Sequence, residues 1–369
     1  MTHSSTSSPV ATLLTPRGRG AVATIACRGG VALFDQQAEQ LFQPVNRKAM
    51  SVQSVDQILF GHWGAAAPEE VVVCRTSEDE LEIHCHGGHA AVERILSDLT
   101  SVGFTIIPWQ EYQAATMTLL EAELQTALAQ ARTTKTATLL LRQRENLKRE
   151  FAEIETEINH LQAGTGGDQA AVLARLEKLR ASYELGRHLV EPFQVVLAGR
   201  PNVGKSSLIN ALVGYERAIV YDQPGTTRDA VKTETAFNGW PVELTDTAGL
   251  RLTDDQLESA GITRARAALK QADLGLLLFD VTQPLTDDDR ELVHLQETKL
   301  IIAHKCDLGE PSDELLQYEP LKVSSTTGEG LEELMHRLME KLVPVEPGVG
   351  DCLVFSARVL LEFSYVRFK

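Results

Sequence analysis

Long apolar runs, paired cysteines and a targeting segment are all missing from this sequence of 369 residues. The longest apolar stretches, such as LGLLLF at 274–279, are far too short to cross a bilayer. The five cysteines have no paired spacing, which favours free thiols in a reducing compartment over a disulfide framework. The first residues, MTHSSTSSP, have neither a basic nor an apolar block, so we predict a disordered tail at 1–8 rather than a signal peptide. Together these absences predict a cytoplasmic protein that does not enter a membrane.

Positive charge is also scarce, and the formal net charge is -16. Such a surface repels phosphate backbones, which argues against a protein that binds polyanions over its whole surface. A local RNA site stays open, because basic residues can be gathered in one place. The stretch RQRENLKRE at 142–150 is a candidate for RNA contact, although a solvated helix face with charge pairs is favoured.

Three patterns follow one another and predict a multidomain protein. Residues 9–112 alternate short β-rich stretches with one helical stretch, which indicates an α+β domain. Residues 113–192 are helical, and their apolar positions recur at steps of three and four, which predicts an antiparallel hairpin with its tip near Gly166. Residues 193–343 alternate apolar strands with helices, which indicates an α/β domain with a mostly parallel sheet covered on both faces. A short helical or strand-like segment follows at 353–369.

The segment GRPNVGKSS at 199–207 follows a predicted strand and fits the P-loop pattern G-x-x-x-x-G-K-[ST]. Its glycines let the backbone wrap closely, so that amide N–H groups and a helix N-terminus face phosphates. We expect Lys205 to bridge the β- and γ-phosphates and the Ser206 hydroxyl to bind Mg²⁺. The predicted nucleotide-binding residues in this loop are Gly199, Asn202, Val203, Gly204, Lys205, Ser206 and Ser207.

Two later segments complete the phosphate site. PGTTRD at 224–229 lies where a switch loop is expected, and Thr227 would place its hydroxyl on Mg²⁺. The strand PVELTD would deliver Asp246 to the Mg²⁺ side and Gly249 to the γ-phosphate. In this order after a P loop, the segments predict hydrolysis of a nucleoside triphosphate.

The choice of base is predicted from HKCD at 304–307, at the end of a strand. Asp307 would accept two hydrogen bonds from guanine, each contributing roughly 1.5–3 kcal/mol, which favours GTP over ATP. His304 replaces the asparagine of the usual N-K-x-D motif; it can still bond a neighbouring loop, but we expect some loss of affinity. SSTTG at 324–328 would offer the Ser325 N–H to the guanine carbonyl. The predicted base-binding residues are Lys305, Asp307, Ser324 and Ser325.

These motifs resemble those of the MnmE/TrmE family of tRNA-modification GTPases. The resemblance rests on seven segments, which cover the N-terminal and GTPase parts well and the helical part poorly. They are TPRGRGAVA (15–23), SEDELEIHCHGG (77–88), GRPNVGKSS (199–207), AIVYDQPGTTRD (218–229), DTAGLR (246–251), LESAGITRAR (257–266) and GEGLEEL (328–334). The resemblance implies a Ras-like GTPase domain of the TrmE-Era-EngA type, inserted in the helical domain so that 344–369 form the second helical part.

The resemblance also supplies catalytic roles. Leu250 stands where many GTPases have a glutamine that orients water, and the family uses a later glutamate, here Glu258. The family holds K⁺ beside the phosphates, where a cation neutralises charge in the transition state. The implied potassium ligands are Asn202, Tyr221, Gln223 and Thr226, and the implied catalytic residues are Glu258, Lys205 and Thr227.

The chain departs from the family in three places. The C-terminal C-[IVL]-G-K motif of the family is absent from the sequence, and the second helical part is shortened. In the family's formyl-tetrahydrofolate pocket, an arginine position is occupied here by Ala26, and only Glu82 matches, so folate binding is doubtful. His84 and His86 of HCHGGH would share a strand face with Cys85 opposite, which favours a structural role over a metal site.

Two functions therefore remain. The first is a K⁺-stimulated GTPase that uses Mg²⁺, forms a homodimer through the N-terminal domain, and works with a flavin-dependent partner on the wobble uridine of tRNA. The second is a GTPase switch that has lost the one-carbon chemistry and gates an RNA, ribosome-assembly or protein partner. GTP binding and hydrolysis are common to both.

Overall fold

A computed structural model describes residues 8–18, 20–65, 67–215, 232–246, 267–294 and 299–364. The chain forms two compact units, Met1–Ala122 and Glu123–Lys369. Within the described ranges, no helix is long and apolar enough to cross a membrane.

The first unit is built on a sheet in which seven described strands have the order β3-β4-β5-β6-β2-β1-β7. Neighbours are antiparallel except β1 and β7, which are parallel. The strands are β1 Val10–Leu13, β2 Val22–Arg28, β3 Phe42–Pro44, β4 Ile58–Trp63, β5 Glu69–Arg75, β6 Glu80–His86 and β7 Thr105–Ile106. The helices are α1 Val31–Gln36, α2 His89–Ser101 and α3 Trp109–Ala114. The expected α+β character of this region is thus seen.

One face of this sheet carries the core. In β6, Leu81, Ile83 and Cys85 are buried, whereas Glu82 and His84 alternate with them on the other face. In β4, Leu59 is likewise buried. The core also takes in apolar residues of α1 and α2. The two-residue period visible in the sequence therefore separates a core face from a face with partly exposed polar groups.

The second unit contains a long helical hairpin. Its two helices are α5, Thr134–Ala163, and α6, Gln169–Gly186; they follow helix α4, Leu119–Gln130, which begins before the division at Ala122. Thr133 and Thr136 form a capping box at the start of α5, and Gly164 ends it in the left-handed conformation with φ 65°. The Asp168 side chain caps α6 by accepting from the Ala170 N–H. The turn lies at the predicted tip near Gly166.

The second unit also has a sheet in which six described strands have the order β13-β12-β11-β8-β10-β9. The strands are β8 Phe193–Ala198, β9 Lys232–Phe237, β10 Trp240–Asp246, β11 Leu274–Asp280, β12 Lys299–His304 and β13 Leu321–Val323. Only the β9–β10 pair is antiparallel among them. Every residue of β11 is buried, as expected for a strand covered on both faces. The helices are α7 Lys205–Val213, α8 Asp287–His294, α9 Asp313–Leu316 and α10 Leu331–Leu342.

Residues after this sheet return to the hairpin and end in helix α11, Ala357–Ser364. The Asn146 side chain donates to the carbonyls of Val349 and Asp351 at 2.9 and 3.0 Å. The Gln143 carboxamide accepts from the Leu353 N–H at 2.8 Å. Both amides are buried, so two residues of the basic stretch 142–150 bind this chain itself and do not face solvent.

The two connections between hairpin and sheet lie close together. An added Cβ at Gly186, at the end of α6, would lie 2.1 Å from the Val354 carbonyl oxygen, so only glycine permits this approach. The Ser182 hydroxyl accepts from the Val354 N–H at 3.1 Å. Beside them Arg187 pairs with Asp273, whose carboxylate also accepts from the Gln194 N–H at 2.7 Å.

Candidate nucleotide site

The candidate site lies where the carboxyl ends of β8, β10 and β12 meet the amino end of α7. The loop between β8 and α7 is shaped by Gly199 (φ 150°), Asn202 (φ 63°) and Gly204 (φ 103°). An added Cβ on Gly199 would lie 2.5 Å from the Leu278 carbonyl oxygen, so the loop needs glycine there. The loop leads directly into α7 at Lys205, which gives the strand, loop and helix arrangement of an anion site.

Side chains hold four carbonyl groups of this loop. Lys205 Nζ donates to the carbonyls of Gly199 at 2.9 Å and Arg200 at 3.0 Å. Lys305 Nζ donates to the Asn202 carbonyl at 3.0 Å, and His304 Nδ1 lies 2.8 Å from the Val203 carbonyl. Two cationic groups and a ring nitrogen therefore fix the loop in its curved shape.

A hydroxyl and a carboxylate meet beside the loop. Ser206 Oγ donates to Asp246 Oδ2 at 2.6 Å. Asp246 is the last residue of β10 and lies opposite Leu197 of β8, so the parallel pairing brings it next to the start of α7. Oxygen ligands of this kind suit Mg²⁺, which is bound in nucleotide sites through one or two protein oxygens and the phosphates. These residues fit the magnesium site expected from the sequence.

A second carboxylate is fixed at the end of β12. Ser324 Oγ donates to Asp307 Oδ1 at 2.6 Å, and the Thr326 and Thr327 N–H groups donate to the same hydroxyl oxygen at 3.2 Å. Ser324 is fully buried, so Asp307 is held against a rigid turn. The Asp307 carboxylate is thus held in place by the protein through one of its two oxygens.

His304 joins these two regions. Its ring is buried, with Nδ1 at the Val203 carbonyl and Nε2 2.7 Å from Ser325 Oγ. Burial lowers the pKa of His304 below the usual histidine value. The imidazole therefore bonds two neighbouring loops; the predicted loss of GTP affinity remains a prediction.

Two further ion pairs support the site, and the sequence did not predict them. Lys305 Nζ pairs with Asp280 at 2.7 Å, and hydrogen bonds from Lys305 and Thr282 hold the pKa of the Asp280 carboxyl below its usual value although burial alone would raise it. Arg200 of the loop pairs with the buried Asp289 at 3.0 Å. The position of Asp280 could have indicated a role in the site, because Asp280 ends a buried strand at the edge of the sheet where ligands bind.

Several predicted site residues lie outside the described residues. They are Tyr221, Gln223, Thr226, Thr227, Gly249 and Glu258. Of the predicted potassium ligands, Asn202 is described, and it is exposed on the P loop. Ser207, in the first turn of α7, is also exposed.

The N-terminal candidates lie in the first unit. Glu82 is directly opposite Ala26 in the β2–β6 register, and Glu82 Oε2 is 3.5 Å from His84 Nε2. His84 Nδ1 lies 3.0 Å from Thr24 Oγ1, and His86 pairs with Glu69 at 2.5 Å. Across the ranges that the structure describes, no group of three or more His, Cys, Asp or Glu side chains is arranged to hold a metal ion.

A P loop between strand and helix, a neighbouring Ser–Asp pair and a fixed aspartate after β12, all on a mostly parallel sheet, form the arrangement of a P-loop GTPase. The family model described as 50S ribosome-binding GTPase matches residues 194–305. The G domain of the FeoB iron transporter from T. maritima is 30% identical, covering 41% of this chain and 99% of that chain with a TM-score of 0.31.

Similarity to one group of proteins extends over most of the chain. The tRNA modification GTPase MnmE of Moorella thermoacetica is 31% identical over 376 residues, which cover 90% of this chain and 81% of that protein. The protein of the same name from Carboxydothermus hydrogenoformans is 30% identical over 392 residues, covering 94% of this chain and 85% of that protein. The chain belongs to the MnmE family, as the motifs indicated, and it is a GTP-hydrolysing enzyme.

Proposed function

We propose that this GTPase binds GTP with Mg²⁺ at the described site and that K⁺ stimulates its hydrolysis. The observation that carries the magnesium part is the 2.6 Å contact between Ser206 Oγ and Asp246 Oδ2. In the proposal these two oxygens hold Mg²⁺ directly or through water, Lys205 contacts the β- and γ-phosphates, and Asp307 reads guanine. Mg²⁺, when bound, neutralises negative charge on the phosphates as the terminal group leaves.

The potassium part of the proposal rests on Asn202 and on the family. Asn202 stands on the exposed side of the P loop in the left-handed conformation, where its side chain is open to an ion beside the phosphates. The remaining proposed ligands are Tyr221, Gln223 and Thr226. Initial rates of GTP hydrolysis in matched KCl and NaCl test it directly. Equal rates in both salts would remove potassium from the proposal.

We further propose a role in modifying the wobble uridine of tRNA, together with a flavin-dependent partner. This part is supported by the similarity to the two relatives, which are named as tRNA modification GTPases. The test is mass spectrometry of wobble nucleosides in tRNA from cells with and without the gene for this chain. Loss of a modified nucleoside, restored by the intact gene, is the expected result.

The proposed assembly is a cytoplasmic homodimer formed through the N-terminal domain, 9–112. Ile58 and Phe60 alternate along β4 with 74% and 48% of their surfaces exposed, away from the core. Exposed apolar side chains on the same sheet face support this face as the proposed interface. The five free cysteines support a reducing compartment. Sedimentation of the chain and of an Ile58→Asp variant tests the dimer.

The proposed domain arrangement places the GTPase domain, 193–343, within a helical domain made of 113–192 and 344–369. Its support is the hydrogen bonding of Gln143 and Asn146 to residues 349–353. In the proposal, these contacts hold the segments on either side of the GTPase sheet together as one helical domain.

One observation favours the alternative of a GTPase switch without one-carbon chemistry. The position directly opposite Glu82 is the methyl group of Ala26, so this place in the sheet offers no cation to an anionic folate. The residues present do not fit formyl-tetrahydrofolate, and we leave that cofactor out of the proposal. Unchanged wobble nucleosides in cells without the chain would favour the switch, which gates an RNA, ribosome-assembly or protein partner.

A further inference from the structure

We propose that His304 is a positioning residue that couples the phosphate-binding loop to the base-reading loop through one defined tautomer. The inference rests on the proposed binding of GTP at this site. His304 stands where the N-K-x-D motif has asparagine, and each of its two ring nitrogens has a hydrogen-bond partner. His304 is the last residue of β12 and is 2% exposed.

The acceptor on one side of the ring fixes the tautomer. A backbone carbonyl can only accept a hydrogen bond, so the 2.8 Å contact with Val203 places the proton on Nδ1. The buried ring is favoured in its neutral form, because burial lowers the pKa of His304. Nε2 is then an acceptor, and the Ser325 hydroxyl at 2.7 Å must donate to it. The ring thus transmits a directed chain of hydrogen bonds from Ser325 to Val203.

Packing places the ring tightly against the P loop. An added Cβ on Gly204 would lie 2.4 Å from His304 Cε1 and 2.6 Å from Nδ1. The ring therefore occupies the space that any larger residue at position 204 would need. A shift of the P loop toward the base-reading loop is blocked by this contact, and a shift away breaks the bond to Val203.

The other end of the chain of hydrogen bonds lies next to the base-reading carboxylate. Ser325 follows Ser324, whose hydroxyl donates to Asp307 at 2.6 Å. Lys305, which follows His304, donates a hydrogen bond to the Asn202 carbonyl of the P loop. His304 and its neighbour therefore hold two successive carbonyls of the P loop, whereas the serine pair holds the ring and Asp307. Each half of the site is positioned by contacts with the other half.

Removing the ring should loosen both halves at once. In His304→Ala, the Val203 carbonyl and the Ser325 hydroxyl both lose their partner, so we expect GDP and GTP affinity to fall by roughly ten- to fiftyfold, the effect of two buried hydrogen bonds. His304→Asn should restore affinity to within roughly threefold of the parent, because a carboxamide also has one donor and one acceptor to place. Ser325→Ala should cost roughly fivefold alone and nothing further in His304→Ala, since the two residues share one bond.

The experiment measures dissociation of a fluorescent GDP analogue from the full chain and these variants. His336→Ala, which removes an exposed histidine of α10, is the matched control and should equal the parent. Thermal unfolding of each variant checks that it folds. Nitrogen-15 NMR of labelled histidine should show a proton on Nδ1 of His304 and a bare Nε2, a signature that a merely space-filling role does not require.

The outcomes separate the positioning role of His304 from the proposed binding of GTP. If the parent chain binds GDP and His304→Ala binds it equally well, the positioning role is wrong and the proposed function stands. Additive losses in the double variant, or a proton on Nε2 in place of Nδ1, would also overturn it. If the parent chain binds no guanine nucleotide, both the proposed function and this inference fail.

Discussion

The phosphate half and the base half of the nucleotide site are built in different ways. In the phosphate half, the residues of the P loop are neighbours in sequence, and Lys205 of the loop bonds the loop's own carbonyls at Gly199 and Arg200. In the base half, Asp307 depends on a buried hydroxyl 17 residues further along the chain. The P loop therefore holds two of its own carbonyls, while Lys305 and His304 hold two more from a distant part of the chain, as Ser324 holds Asp307. We expect the phosphate half to determine the strength of nucleotide binding and the base half to determine the choice of base, and substitutions in each half test this.

The largest effect is expected for Lys205→Ala. A charge-assisted contact to two phosphates is lost, so affinity for GTP should fall at least about a hundredfold. Isothermal titration with GTP and with inosine triphosphate measures the loss. Because Lys205 contacts no base in the proposal, the ratio of the two affinities should stay as in the parent. A changed ratio would contradict the separation of tasks.

Asp307→Asn should have a comparable effect but a different pattern. Two charge-assisted hydrogen bonds to guanine are lost or weakened, each contributing roughly 1.5–3 kcal/mol, so GTP affinity should fall on the order of a hundredfold. ATP affinity should stay within about twofold, since adenine cannot supply those donors. Competition of both nucleotides against a fluorescent analogue gives the preference. A variant that still prefers GTP as strongly as the parent would show that the base is read elsewhere.

Glu258→Ala is expected to slow GTP hydrolysis without changing nucleotide affinity or the preference for guanine. The family places this residue on the attacking water, so turnover should slow at least about tenfold, about 1.4 kcal/mol of barrier. Binding of GTP should be unchanged, because the carboxylate contacts neither phosphate nor base in that role. Single-turnover rates separate the two steps. A rate equal to that of the parent removes Glu258 from the mechanism.

The smallest effect is expected for Ser324→Ala. The Asp307 carboxylate loses one of its fixed partners but keeps its own position on the loop, so GTP affinity should fall by roughly fivefold, about 1 kcal/mol. Selectivity for guanine should fall in parallel, and Thr138→Ala, at an exposed position of α5, is a matched control with unchanged affinity. Titration calorimetry measures both. Weaker binding without any loss of selectivity would indicate a purely structural serine.

The phosphate half of the site was the easier one to predict from sequence. The P loop, its order before PGTTRD and DTAG, and the pairing of Ser206 with Asp246 all follow from a motif and a strand direction. The contacts of His304 were foreseen only in kind, as a bond to a neighbouring loop, because its two partners are 101 and 21 residues away in the chain. The pairs of Asp280 with Lys305 and of Arg200 with Asp289 were not predicted, since no periodicity marks a charge that is buried by tertiary packing.

The fold shows the same division. The hairpin tip near Gly166 follows from apolar spacing and glycine, and the parallel sheet follows from strands that are apolar on both faces. The binding of residues 349–353 by Gln143 and Asn146 was not foreseen, because these amides lie within a stretch whose charges predict solvent exposure. A polar residue shows whether it is buried only when its partner is known.

The close approach of Gly186 to Val354 has a mechanical consequence. The sheet of the proposed nucleotide site is joined to the hairpin by two backbone connections, and these lie side by side at Gly186 and Val354. The sheet is also held at the start of α5, where the Thr133 hydroxyl donates to the Gly239 carbonyl and Lys135 donates to the Asn238 carbonyl. The sheet is therefore tied to the hairpin by side-chain contacts as well as by two backbone connections, and a larger side chain at position 186 would force those connections apart.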